Sequence, residues 1–530
     1  MTAAVAATPD RHNAPTGYLL VAGVVLATLT EAIAGTVLAL GRGYISGDAH
    51  ATPDEAAWLD IGYACLKLIG FMAAPWLMTA ITPHRLIIGA TLVMGTACGI
   101  AAITTRLDLL IALRVIQGLS GGVLLTGGQA IIFLAYPASR QPVLQALFAI
   151  GSVVAPATIA PALQGWLIDS RSWTWIFLSV VPIALAAAGL MLLADGPKSA
   201  ASARRPFDWI GFTLIAVALC CLTYVFSQGS RWNWFDEPRI VWLTLTGAAA
   251  LLAFLGQQVM ARGRGLLDFT LFRSEDFCFA FIVSFVAGAA LFGSAFLIPS
   301  FAVSVLAFTP TDAGQLLLPS GALFIGALLL AAFLMQARGV PPVATVPFGI
   351  LMIMIAMWML SGSTGESGSH DMMAAILLRG FGLGFLFLSI TLIAFSDLND
   401  RNRAAGIGLF NAGRQLGGLI GVGLLQRMID HNVAGNIAVL GAGVTAGGPA
   451  VSERMTAMTA MLAAKGMDAL AASRAATSLL GRAVTGQSTV IAFDTAFNAV
   501  ALLFLFAAPV LVTVKIGLHR SAKIHAVAHP

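Results

Sequence analysis

The chain has 530 residues, of which 58% are hydrophobic and only 10% charged, with a formal net charge of +5 and a mean hydropathy of +0.89. Soluble domains carry about 25% charged residues, so this composition excludes a water-soluble globular protein and predicts an all-α integral membrane protein. No basic patch with interleaved aromatics accompanies the positive balance, which reads as anchoring charge beside lipid headgroups and not as a nucleic-acid surface.

Residues 1–16 are polar and read as a tail. The apolar stretch after them is too long for a signal peptide and lacks a cleavage site. Apolar segments of roughly 20 residues each read as membrane spans. Fourteen follow in order, at 17–40, 57–80, 86–105, 109–133, 142–168, 174–194, 207–227, 239–260, 277–304, 312–335, 341–361, 372–396, 404–428 and 489–514.

The spans group as six, two and six. Residues 17–194 form the first bundle; 195–276 hold a polar linker, two extra helices and a charged connector; 277–514 form the second bundle, and 515–530 a C-terminal tail. The halves echo each other: Arg114 precedes Arg140 by 26 residues and Arg379 precedes Arg403 by 24, each second arginine opening the next helix. Duplicated six-helix bundles are a transporter layout with the substrate site between the halves near the midplane.

Lys and Arg in short loops set the orientation. With both termini cytoplasmic, fifteen of the 29 lie inside: Arg11, Arg85, Arg140, Lys198, Arg204, Arg205, Arg262, Arg264, Arg273, Arg338, Arg401, Arg403, Lys515, Arg520 and Lys523. The short outer loops hold five, Arg42, Arg106, Arg171, Arg231 and Arg239. The bias predicts a multi-pass membrane protein with both termini cytoplasmic.

Residues 429–488 then form a long external loop between the last two spans. Met455, Met458, Met461, Leu462, Leu470 and Leu479 give it helical spacing on two short amphipathic segments. Such a stripe either packs on itself as a hairpin or docks a partner protein. The five cysteines lie in or at the edge of spans without framework spacing and read as core thiols. Trp166, Trp173 and Trp175 read as an interfacial belt.

Ionisable groups inside spans carry the functional signal, because a mid-bilayer charge costs roughly 2.5–3.5 kcal/mol even on insertion scales. Away from the outermost two residues at each span end, four cations (Lys67, Arg114, Arg379, Arg414) and three carboxylates (Glu31, Asp60, Asp494) are so placed. By depth, Glu31, Asp60, Lys67 and Arg114 share the outer half of the first bundle, with Asp60 seven residues before Lys67 on the same helix face. A proton-coupled exporter needs a carboxylate whose protonation changes between access states, and Glu31 is the candidate; the competing reading is a static buried ion pair. In the second bundle Arg379, Asn411, Arg414 and Gln415 are the polar candidates, facing either an anionic substrate or backbone carbonyls. Asp494 opens the last span, where a carboxylate at a helix start is favourable anyway. Gly413, Gly417 and Gly421 give small residues every fourth position, as for close helix contact.

Other chemistry is missing from the sequence. None of the five lysines follows a glycine, so there is no Gly-Lys phosphate loop, and the eight histidines lie in loops or tails without a zinc-ligand pair. No cofactor is expected. A membrane-embedded enzyme or sensor is the distant alternative.

Several motifs together resemble a known family. LRVIQG at 113–118, with Arg114, Gln117 and Gly118, is similar to the fourth-helix motif of the major facilitator superfamily. Pro156 followed by Ala160-Pro161 and Gln164-Gly165 resembles the fifth-helix motif of its drug:proton antiporters. The stretches Asp169–Ile183, Leu267–Phe277 and Arg403–Gly418 resemble the EmrB/QacA-type fourteen-span branch. The resemblance implies a major facilitator fold with two inserted helices, and a proton-driven permease exporting hydrophobic or amphipathic toxic compounds. It further implies a periplasmic adaptor and an outer-membrane channel as partners, joined through the 429–488 loop. The rival within transport is a dedicated exporter of one organic acid, siderophore or other metabolite. The sequence departs from the family pattern in three places: Pro75–Leu86 keeps only Arg85 of the loop charges, Glu31 sits one position along from the usual first-helix Asp, and Ala160 and Gln164 replace glycines.

Overall fold

A computed structural model describes residues 14–196, 206–261, 266, 271–272, 274–396, 398–445 and 447–528. The tail charge Arg11 and the linker and connector charges Lys198, Arg204, Arg205, Arg262, Arg264 and Arg273 lie outside these residues. The described residues are helical, with no strand among them.

The first six spans are α1 (Ala14–Thr36), α3 (Pro53–Ala80), α4 (Pro83–Ala101), α5 (Leu107–Ala135), a fifth built as α6 (Gln141–Ala149) and α7 (Ala160–Ser170), and α8 (Thr174–Leu193); a short α2 (Leu38–Asp48) follows α1. The inserted pair is α9 (Trp209–Gln228) and α10 (Pro238–Met260). The second six are α11 (Glu275–Ser304), α12 with α13 (Pro310–Gln315, Leu318–Arg338), α14 (Pro342–Leu360), α15 (Ser369–Phe395), α16 (Asp400–Ala442) and α18 (Ala469–Ala528), with α17 (Pro449–Ala464) between the last two.

Local chemistry sets the boundaries. Prolines at the first turn open α3, α4, α10, α12, α14 and α17, where a missing N–H is no loss. Thr52 and Glu55 form a capping box at the start of α3, with the Glu55 carboxylate accepting from Thr52 N at 2.9 Å. Gly339 ends α13 in the left-handed region at φ 65°, where a side chain would be strained. Between α6 and α7, Ile150–Ile159 winds as a π-helix containing Pro156. A wider turn there accommodates a proline ring that would clash in an α-helix.

Among the described residues, thirteen helices are long and apolar enough to cross a membrane. The fourteenth expected span falls in α16, which fails on composition because Asn411, Arg414, Gln415 and its glycines dilute it. It nevertheless runs through the bundle, packed on α11, α18, α3 and α5. The helix pairings repeat between the two sixes. Second packs on fourth (α3 on α5, α13 on α15), third on fourth (α4 on α5, α14 on α15), and first on sixth (α1 on α8, α11 on α18). Across the halves, the second helix of each six packs on the fifth of the other: α3 on α16, and α12 and α13 on α7 and α6. Two large apolar cores result, one centred on each six, with Ala130, Ala146 and Val153 of the first six joining the second core and Ala412 of α16 joining the first.

Close approach depends on glycine. A Cβ at Gly118 would run into the Tyr63 carbonyl, and one at Gly417 into the Phe285 carbonyl. Without a strong hydrophobic drive between helices in lipid, such contacts carry the association. Gly417→Leu is therefore expected to destabilise by about 3 kcal/mol through overpacking, read as a lower unfolding midpoint of the purified protein. Gly256→Ala on α10, with open space around its Cβ, should leave that midpoint unchanged or slightly raised.

The inserted pair is fastened to both halves. Cys65 of α3 and Cys220 of α9 are disulfide-bonded, with Cα atoms 5.2 Å apart, so these two are not free core thiols; Cys98, Cys221 and Cys278 are free and buried. A Cβ at Gly423 of α16 would meet the Phe226 carbonyl of α9 at 2.5 Å. At its other end Asp208 caps α9, accepting from Gly211 N at 2.9 Å, from Gln257 and Gln258, and from Leu266 N at 3.1 Å. Burial alone would raise this carboxyl, but the four donors together hold it below the ordinary range.

The 429–488 segment is three helical pieces and not an open loop: the end of α16, all of α17 and the start of α18. Met455, Met458, Leu462 and Leu479 are half-buried where α17 lies on α18, and Ala472 and Ala476 are fully buried there. Met461 and Leu470 depart from the expected stripe, 50% and 61% exposed. Trp173 departs from the expected belt. It is buried, its indole N–H donating to Asp48 at 2.6 Å, while Trp166 and Trp175 are exposed. The side of the bundle bearing α17 is called the hairpin face below.

Candidate functional site

Three helices of the first six converge on one carboxylate. Glu31 of α1, 2% exposed, is ion-paired with Lys67 Nζ of α3 at 2.5 Å and accepts a hydrogen bond from the Tyr63 hydroxyl at 2.9 Å. Arg114 of α5 does not pair with Glu31. Its guanidinium donates to the Ala34 carbonyl at 2.6 Å, the Leu59 carbonyl at 3.3 Å and Gln117 Oε1 at 3.0 Å, and lies 4.1 Å from the centre of the Tyr63 ring. Tyr63 thus stands between the carboxylate and the guanidinium, touching both.

Asp60 does not join this group. One face is shared with Lys67 by spacing, but Asp60 lies nearer the hairpin face, partly exposed and paired with Arg42. There a partner and water are both available, so depth along a helix did not translate into contact. Of the four groups expected together, Glu31, Lys67 and Arg114 meet.

The second six contributes from across the interface. Arg414 Nη2 donates to Asn411 Oδ1 at 2.8 Å, and Asn411 Nδ2 donates to Gln129 Oε1 of α5 at 3.1 Å. Gln129 continues to Gln145 and Gln141 of α6, each at 3.2 Å, and Gln141 reaches the Tyr136 carbonyl. A run of buried amides therefore leads from Arg414 towards the face opposite the hairpin. Arg414 also lies within the field of Glu31. Gln415 is half-buried beside it. Arg379 is fully buried and donates to Ser294 Oγ at 2.7 Å and more weakly to the Leu291 carbonyl at 3.5 Å. Among the described residues Arg114 Nη2, Gln117 Nε2 and Arg379 Nη1 have no hydrogen-bond partner. Buried polar atoms left so in a native fold point to a place where a ligand or water is held. Asp494 stands apart, half-buried on α18 with one unpartnered oxygen.

The halves touch on both faces. On the hairpin face, Asp169 in the last turn of α7 accepts from Thr311 N at 3.0 Å and from the Thr311 hydroxyl, and Gly165 meets the Pro310 carbonyl. Ser230 of the inserted pair donates to Asp430 of α16 at 2.6 Å, while its neighbour Arg231 pairs with Asp54 of α3 at 3.1 Å. On the opposite face Phe133 packs edge-on against Phe395 at 5.4 Å, with the Arg403 guanidinium 5.6 Å from the Phe133 ring. The buried polar centre lies between these two closures.

A family model described as Major Facilitator Superfamily matches residues 20–422. The chain belongs to the major facilitator superfamily. It is a multi-pass membrane protein of a transporter family and not an enzyme of the soluble kind its composition already excluded. It is 25% identical over 482 residues to the multidrug export protein EmrB of Escherichia coli (strain K12), covering 91% of this chain and 92% of that one. It is 26% identical over 426 residues to a multidrug resistance protein B homolog of Mycobacterium tuberculosis, covering 80% and 78%. It is 23% identical over 507 residues to the colistin resistance protein EmrB of Acinetobacter baumannii, covering 94% and 96%.

The departures from the family pattern have local counterparts in the superfamily fold. Gln164, where the motif has glycine, donates to the Ile33 carbonyl at 3.0 Å and Thr36 Oγ1 at 2.8 Å, tying α7 to the end of α1. Pro161 sits in the first turn of α7, and its carbonyl meets Gly314 of α12 at 2.6 Å from where a Cβ would stand. Tyr63 and Gln129 are site residues that the sequence reading missed. An aromatic or amide in a span defaults to core, and the available signal was Tyr63's position four residues before Lys67 on one helix face.

Proposed function

We propose that this chain is a proton-driven exporter of hydrophobic or amphipathic toxic compounds, oriented in the inner membrane with both termini in the cytoplasm. The observation that carries the reading is Glu31. It is a buried carboxylate at the centre of the first six, paired with Lys67, bonded to Tyr63 and within the field of Arg414 from the other half. Lys67 and Tyr63 stay with it in the first six while Arg414 belongs to the second, so the field on Glu31 changes when the halves part. While it is ionised, its lysine and any cationic cargo compete for its charge, and protonation removes that charge. The membrane potential contributes about 2.3 kcal/mol per charge per 100 mV. The names of the relatives support the cargo class, and the excess of Lys and Arg on one side supports the orientation. The α16–α17–α18 extension would receive a periplasmic adaptor leading to an outer-membrane channel, since it stands clear of the bundle and leaves Met461 and Leu470 exposed.

One observation favours a second reading. Lys67, Arg114, Arg379 and Arg414 outnumber Glu31 in the buried centre, which would suit a carboxyl-bearing cargo. Both readings are tested in vesicles reconstituted with the purified protein and made acid inside. Under the leading reading, added ethidium accumulates while the lumen turns alkaline. Movement of fluorescein alone would favour the dedicated exporter, and movement of neither dye with no alkalinisation would overturn both.

A further inference from the structure

We propose that Tyr63 is the positioning residue for the proton-carrying carboxylate, its hydroxyl holding Glu31 in the ionised state while its ring seats Arg114. The proposal rests on the reading of Glu31 as the proton carrier and adds a residue to it. Tyr63 is 5% exposed, and its hydroxyl donates to the same Glu31 oxygen that Lys67 approaches. The room for this contact is made by glycines on two other helices. A Cβ at Gly35 of α1 would stand 2.8 Å from the Tyr63 hydroxyl oxygen. One at Gly121 of α5 would stand 3.3 Å from that oxygen and 2.9 Å from Glu31 Cγ. The charged and titratable groups around the pair are Lys67 of α3, Arg114 of α5, Cys98 of α4 and Arg414 of α16.

The step is a single proton addition. A proton joins the Glu31 carboxylate, which becomes a weaker acceptor, and Tyr63 keeps its own proton throughout. The hydroxyl then loses the charge that fixed it, and the ring under the Arg114 guanidinium is freed to turn. Among the described residues, Arg114 is otherwise held by Gln117 and by carbonyls of α1 and α3. One side chain therefore passes the charge state of α1 to the cation of α5, although Glu31 and Arg114 do not form an ion pair. A hydrogen bond to an ionised acceptor favours that form, so removing the hydroxyl makes protonation easier.

The test is an infrared pH titration of the full-length protein in lipid, following the protonated-carboxyl band that disappears in Glu31→Gln. Tyr63→Phe keeps the ring and the packing and is expected to move the midpoint of that band alkaline by about one pH unit, the scale of one lost hydrogen bond to a charged group. The pH of half-maximal ethidium transport should move in the same direction. Biosynthetic 3-fluorotyrosine, a stronger donor at this hydroxyl, should move the midpoint the opposite way, and it needs no change of sequence if Tyr63→Phe fails to fold. A band lost in Glu31→Gln whose midpoint ignores both changes would overturn the role of Tyr63 alone. No band lost in Glu31→Gln would instead remove the proton-carrier reading beneath it.

Discussion

Replacing Lys67 by methionine will destabilise the protein by about 3 kcal/mol, and adding Glu31→Gln to it will restore most of that loss without restoring transport. Removing one member of a buried ion pair typically costs about 3–5 kcal/mol because the other charge stays desolvated and uncompensated. The lower end applies here, since Tyr63 still donates to Glu31 and Arg414 still contributes its field. The double variant leaves two neutral, space-filling side chains, for which replacement of an ion pair is often neutral or stabilising. Transport separates the functional reading from the static one. A pair kept only to fix α1 against α3 would let the double variant export at the wild-type rate once folded. A proton carrier cannot be replaced by glutamine, so gradient-driven ethidium accumulation should fall to background in Glu31→Gln and in the double variant alike. The measurements are the unfolding midpoints of the four proteins of the cycle and their vesicle transport rates. Lys67→Met with wild-type stability, or a double variant that pumps, would sink the coupled-pair account.

The parts of this site legible in the sequence were those with a high energetic cost. Arg114, Lys67, Glu31 and Arg379 announced themselves because lipid penalises charge, and the structure finds all four buried. What each one touches was not legible. Asp60 shares a helix face with Lys67 yet ends beside Arg42, because a seven-residue offset moves it about 10 Å towards the hairpin face. Arg114 reached carbonyls and Gln117 instead of the carboxylate, a choice set by where α1 and α3 end against α5. Gln129 and Gln145 carry no such penalty, so nothing in the sequence separated them from ordinary span residues, and Tyr63 had only its spacing of four from Lys67 to mark it. The Cys65–Cys220 bond joins positions 155 residues apart and depends on α9 settling against α3, which no spacing rule encodes. Helix existence was legible throughout. The extent of α16 and α18 was not, because Gly, Ala and Thr beyond the lipid resemble a loop in composition, although alanine favours helix.

A covalent link between Asp169→Cys and Thr311→Cys should abolish transport in proportion to the fraction of protein cross-linked. These two positions join the first six to the second on the hairpin face, Asp169 accepting from both the backbone N and the hydroxyl of Thr311. Exposed hydrogen bonds and ion pairs of this kind contribute about 1 kcal/mol or less each. The few on this face, with Ser230–Asp430 and Arg231–Asp54 among them, are thus weak enough for one or two charges moving through the membrane potential to open. The same scale holds for the Phe133–Phe395 contact on the opposite face. Because the halves touch on both faces, export by rocking of two repeats requires the contacts of each face to break in turn while those of the other hold. Fixing one with a short bis-maleimide should therefore stop the cycle even though the polar centre is untouched. The experiment belongs in protein whose free thiols Cys98, Cys221 and Cys278 have been replaced by serine, with the two single-cysteine proteins as controls. Both controls should transport after the same treatment. Fully cross-linked protein that still accumulates ethidium would mean that this face does not open during export.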